Sequence, residues 1–93
     1  MAQPQVRWRI DTDVGLDETP QVLARFTALL DRHRPVEVIC DVAGIEQPSL
    51  GTVNALSRMA LLAKRRRARL RLTGIGPRLW TLLRLTGLDR TLG

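Results

Sequence analysis

The stretch VEVICDVAGIEQPSLGTV, residues 36–53, joins an apolar run to a turn and then to the first residues of a helical pattern. The run VEVIC is interrupted only by Glu37, which suits a strand more central in its sheet than the first one. Residues 41–51 form the connecting loop. Ser49 is placed to cap the helix that follows, because a serine oxygen can accept from the free N–H groups of a first turn. Val53, Leu56, Ala60, Leu61 and Ala63 then supply a core-facing stripe. The helix runs out into KRRR, residues 64–67, where cations complement the negative end of the helix dipole.

The same alternation of strand and helix extends in both directions. VRWRI, residues 6–10, sets Val6, Trp8 and Ile10 on one face and Arg7 and Arg9 on the other, the period-two pattern of a half-buried strand. After a polar turn, Thr19 is the expected cap and Pro20 the first residue of a helix. Its apolar positions are Val22, Leu23, Phe26, Leu29 and Leu30, and it ends before Pro35. ARLRL, residues 68–72, repeats the strand pattern, with Ala68, Leu70 and Leu72 inward and Arg69 and Arg71 outward. The turn TGIGP leads into a third helix from about Pro77, buried through Leu79, Trp80, Leu82 and Leu83 and stopped near Gly87. Three strand-helix units predict a small α/β domain, with a mostly parallel or mixed sheet and helices mainly on one face. The other face then gathers Arg7, Arg9, Arg69 and Arg71.

The 93 residues, 44% hydrophobic and 26% charged, suit a single domain over 1–93 with little room for a large cofactor cavity. The lone cysteine, Cys40, sits inside an apolar strand, where it serves as a small hydrophobe. A reducing, cytoplasmic setting is expected, since the start lacks an apolar leader and no run approaches the roughly 18 apolar residues of a membrane span. The formal charge of +6 raises the question of nucleic acid, but arginine is scattered and the aromatic content is 3%. Stacking on bases needs aromatics among the cations, so nucleic acid or an anionic surface is the less favoured partner, bound if at all by the arginine face. Catalysis is not expected. His33 lies alone near a helix end, no ligand set for a metal is spaced in the chain, and TGIGP lacks the lysine of a phosphate-cradling loop. Asp41, at the end of the central strand, is the best single carboxylate, with fixing of its own loop as the more ordinary role. No cofactor is implied.

The segment VEVICDVAGIEQPSLGTVNALSRMALLAKRRRARLRLTG with the later PRLWTLLRLTGLD resembles the STAS domain. This is the fold of bacterial anti-sigma-factor antagonists and of the MlaB-like component of lipid transporters. The likeness runs over about residues 36–89; the usual N-terminal hairpin is reduced to one recognisable strand, an altered edge that offers a route to a homodimer. In the family the turn leads to an Asp-Ser-Ser-Gly-Leu type motif whose second serine is phosphorylated by a kinase-like partner. Counted without gaps from Asp41, the motif's aspartate falls on Ser49, its first serine on Leu50, the phosphorylated serine on Gly51, its glycine on Thr52 and its leucine on Val53. The phosphoacceptor is missing. Ser49 and Thr52 are the flanking hydroxyls that phosphate could take instead; serine restored at Gly51 would either recreate the acceptor or, as a bulkier residue, change the contact. The resemblance implies a non-catalytic docking surface made of Glu46, Gln47, Ser49, Leu50, Gly51, Thr52, Val53 and Asn54. Its partner would be a kinase-like anti-sigma factor or, alternatively, the ATPase of an ABC lipid-transport system.

Overall fold

In the computed structural model, which describes residues 4–92, three strands lie side by side in chain order and all run parallel. They are β1 (Gln5–Arg9), β2 (Glu37–Asp41) and β3 (Arg69–Thr73). The register sets Gln5, Glu37 and Arg69 in one row, Arg7, Ile39 and Arg71 in the next, and Arg9, Asp41 and Thr73 in the third. The crossovers are α1 (Thr19–His33) and α2 (Leu50–Arg65), followed by α3 (Pro77–Leu85) and the short α4 (Asp89–Leu92). Both crossovers step across the sheet in the same direction, so a common right hand places α1 and α2 on one face. They pack against each other there.

The core lies between that face and the helices. Val38, Cys40, Leu70 and Leu72 from the sheet meet Phe26 and Leu30 of α1, Leu56 and Met59 of α2, and Leu79 and Leu83 of α3. Trp8 stacks on Phe26 with ring centroids 5.5 Å apart, which closes the β1 end. Each fully buried large side chain contributes about 1.5–3 kcal/mol relative to exposure. β2 is the middle strand, as its apolar run requires. On the opposite face Arg7, Arg9, Arg69 and Arg71 are exposed around Ile39. Two acids moderate their charge: Glu37 accepts from Gln5 Nε2 at 2.8 Å, and Asp41 lies 3.7 Å from Arg9 Nε.

Four local expectations need correction. Thr19 does not cap α1: a 3-10 turn, Leu16–Glu18, precedes the helix and Glu18 takes the cap position, leaving Thr19 buried as the first helical residue. Leu61 is 54% exposed, and the buried stripe of α2 runs through Thr52, Ala55, Leu56, Met59 and Ala63. Leu61 is two residues from Met59, about 200° around the helix, so the two point in opposite directions. Trp80 is 39% exposed, because α3 buries a narrow stripe through Leu79 and Leu83. The sequence pattern stops its last helix near Gly87, yet α4 follows that left-handed glycine.

Candidate functional site

The loop after β1 crosses the N-terminus of α2, and the two are fastened by main chain and hydroxyls. The first helical turn leaves N–H groups without partners. Ser49 Oγ accepts from Gly51 N at 3.2 Å, so the serine is the cap its position implied. Asp13 adds a carboxylate from far away in sequence. Its Oδ1 accepts from Ser49 N at 2.8 Å, from Ser49 Oγ at 3.0 Å and from Thr52 Oγ1 at 2.5 Å. Thr52 Oγ1 in turn accepts from Val14 N at 2.8 Å, and Thr52 is fully buried. Burial of Asp13 acts to raise its pKa, but the hydrogen bonds from Thr52, Ser49 and Val14 outweigh it and hold the carboxyl below its ordinary value. The negative group also meets the positive end of the α2 dipole.

Gly51 completes the fastening. A Cβ there would lie 2.3 Å from the Val14 carbonyl oxygen and 3.0 Å from Leu16 N, so the backbone of 14–16 occupies the space of a side chain. Of the two outcomes expected for serine at Gly51, a restored acceptor or a changed contact, the closed position favours the changed contact. Gly51, Thr52 and Val53 are all buried and cannot be direct contacts of a docked protein in this conformation. Glu46, Gln47, Ser49 and Leu50 are exposed, and Asn54 is partly so.

The exposed surface continues beyond the residues the sequence singled out. Leu16 is 67% exposed and Leu50 is 64% exposed, and they adjoin the contact between residues 14–15 and Gly51. A groove beside them is lined by Leu16, Thr19, Pro20, Leu23, Asn54 and Arg58. Thr19 Oγ1 is buried there without a hydrogen-bond partner. Leu16, Arg58 and Asp13 escaped the sequence reading. The polar stretch DTDVG after a strand signals a turn, but nothing in it names a helix 36 residues away.

The residues weighed for chemistry are placed apart. Asp41 Oδ1 accepts from Ala43 N at 2.9 Å and so fixes its own loop. Gly74, at φ +73°, packs against that loop, where a Cβ would lie 2.7 Å from Ala43 Cβ. Burial, with the charge of Asp41, pushes the Cys40 thiol up to about 12, which leaves no thiolate at neutral pH. His33 sits in the last turn of α1. Among the described residues no three His, Cys, Asp or Glu side chains are gathered where they could hold a metal, and no helix is long and apolar enough to cross a membrane.

The sequence profile of the family described as "Mlab, STAS domain" matches residues 2–93. The chain belongs to the STAS domain family. Among solved structures it is similar to the STAS domain of a SulP transporter from Vibrio cholerae, with a TM-score of 0.77 at 12% identity, covering 100% of this chain and 71% of that one. No curated protein matches. As a STAS domain the chain is a non-catalytic module that acts through protein-protein contacts. Within this STAS domain, the strand-to-helix junction is held by the Asp13, Ser49 and Thr52 hydrogen bonds, and the side chains exposed around it are Glu46, Gln47, Leu50, Leu16 and Arg58, the last donating from Nε to Asn54 Oδ1 at 3.3 Å.

Proposed function

We propose that this STAS domain is a constitutive docking subunit of the MlaB kind. It works at the cytoplasmic side of an ABC lipid-transport system, binds that system's ATPase, and is not switched by phosphate. The observation that carries the reading is Gly51, which has neither a hydroxyl nor room for one at the position that an ungapped count from Asp41 gives to the family's phosphoacceptor. The description of the matched family supports the same choice. The contact surface consists of Leu50, Leu16, Glu46, Gln47, Asn54 and Arg58, with Ser49 engaged as cap and Gly51, Thr52 and Val53 holding the surface from beneath. Two exposed leucines rimmed by polar groups are the composition of an interface centre.

A second reading, an anti-sigma-factor antagonist, is favoured by one feature: Ser49 is exposed and carries a hydroxyl at the helix start. Phosphate there would add a charge of about −1.5 to −2 next to Asp13, repelling the carboxylate and opening the fastening. The two readings part in one experiment, affinity purification of the tagged chain from its native host with mass spectrometry of partners and of the chain itself. Recovery of a transporter ATPase with unmodified Ser49 and Thr52 is the expected result. Recovery of a kinase-like anti-sigma factor, with stoichiometric phosphate on either hydroxyl, would replace the first reading by the second.

A further inference from the structure

The outer edge of β1 has a chemistry that neither the core nor the docking surface uses. Glu37 N donates to the Pro4 carbonyl at 3.0 Å and Ile10 N to the Asp41 carbonyl at 3.0 Å, so the even-numbered residues of this stretch bond to β2. In a parallel ladder the alternate residues turn their N–H and C=O groups the other way. Gln5, Arg7 and Arg9 therefore aim main-chain donors and acceptors outward, and β2 is the one strand paired with β1 among the described residues. The side chains of the same three residues are exposed on the helix-free face, while Val6 and Trp8 between them are half-buried on the helix side. Arg9 lies near Asp11 and Asp41, whereas Arg7 has no ion-pair partner among the described residues. Its neighbours across the row are Ile39 and Arg71.

The geometry points to a strand-addition site: β1 takes an extended segment of a partner protein that carries carboxylates at alternate positions and aliphatic side chains between them. Main-chain bonds along the edge supply affinity, and the alternating side chains supply selectivity. The carboxylates lie beside Arg7 and Arg9 on the open face, and the aliphatic residues cover Val6 and Trp8 on the other. A second copy of this chain is the wrong occupant. Only the odd-numbered residues of β1 can bond across the edge, so antiparallel registers of two copies centred on Arg7, on Arg9 or between them oppose arginine to arginine, and no register gives either arginine a carboxylate from the other β1. Like charges directly opposed destabilise a ladder, and charged edges guard against self-pairing. The site is independent of the surface around Leu50, and its test does not depend on that surface.

The test is titration of the full chain with the synthetic peptide Glu-Val-Glu-Thr-Glu-Val-Glu, blocked at both ends, followed by amide hydrogen exchange. Binding should slow exchange at the Arg7 and Arg9 amides. Arg7→Glu should weaken it at least about tenfold, as expected when one of a few close charge pairs is reversed, while Arg71→Glu at the far edge changes it less than about twofold. The same peptide N-methylated at alternate residues keeps its charge but cannot pair, and should not bind the unaltered chain. Equal binding of the methylated peptide, or binding without protection of Arg7 and Arg9, would reduce the interaction to charge attraction by the arginine face and overturn the proposal. Absence of binding, or a peptide-free dimer in sedimentation that Arg7→Glu strengthens, would overturn it as well.

Discussion

Gly51 shows how a missing side chain can specify a contact, since the loop of residues 14–16 rests where its Cβ would be. Gly51→Ser should therefore destabilise the fold by about 1–3 kcal/mol, the usual cost of overpacking, as measured by urea unfolding. Ser49→Ala should cost about 1 kcal/mol as a lost cap. Thr52→Ala should cost about 1–3 kcal/mol, because it strands the Val14 amide in a buried place. Asp13 adds a pH dependence. Its carboxyl titrates below 3.8 in the folded chain, so its contribution is fully present above that value and is lost as pH falls through the lower, folded one. Asp13→Asn should flatten the acid limb of a stability-against-pH curve, with the difference from the unaltered chain largest at neutral pH and vanishing in strong acid. An acid limb unchanged by the substitution would remove Asp13 from the fastening.

The helices and strands differ in how plainly their sequences declare them. VRWRI and ARLRL alternate arginine with apolar residues, and a period of two leaves one register that buries the apolar set, so both strands and the arginine face were legible. Ser49 was legible as a cap because capping is local. α2 starts after Ser49 as the cap implies but turns a partly different face inward: Leu61 outranks Ala55 in apolarity, yet a stripe through Leu56, Met59 and Ala63 keeps the 3.6-residue period that packing demands. Met59→Ala should cost about 2–5 kcal/mol, and Leu61→Ala no more than about 0.5, in denaturant midpoints read at constant slope. In α3, Leu82 and Trp80 lie about 80° to either side of the buried stripe, so the larger residue was credited with burial that its position does not supply. The site itself was half legible. Its location and the absence of the phosphoacceptor follow from residues 41–54, and Arg58 stands one helical turn beyond Asn54, whereas Asp13 and Leu16 reach it only through the tertiary fold.

At the scale of the whole molecule, charge and apolar docking are segregated: arginines mark the sheet face, while Leu16 and Leu50 mark the N-terminal end of α2. Leu50→Asp and Leu16→Asp should each weaken binding of the proposed ATPase partner at least about tenfold with little change in stability, as for truncated interface centres. That affinity should also vary little between low and high salt, whereas binding by the arginine face would fall steeply, and a salt titration distinguishes them. The uniform order of the sheet has a further consequence, for the way the chain folds. Gln5 and Glu37 are 32 residues apart, and Glu37 to Arg69 is the same interval, so no strand pairing in the sheet is local. Closing such a loop costs about 3 kcal/mol beyond a constant, before any ladder bond repays it. A helix already formed within the loop shortens the search, so helical propensity in the crossovers sets the pace. Leu61→Gly, at an exposed position inside α2, should weaken the helix by about 1 kcal/mol and slow refolding up to about fivefold in stopped-flow fluorescence of the tryptophans. Unchanged refolding with faster unfolding would instead mean that the strands meet before α2 is made.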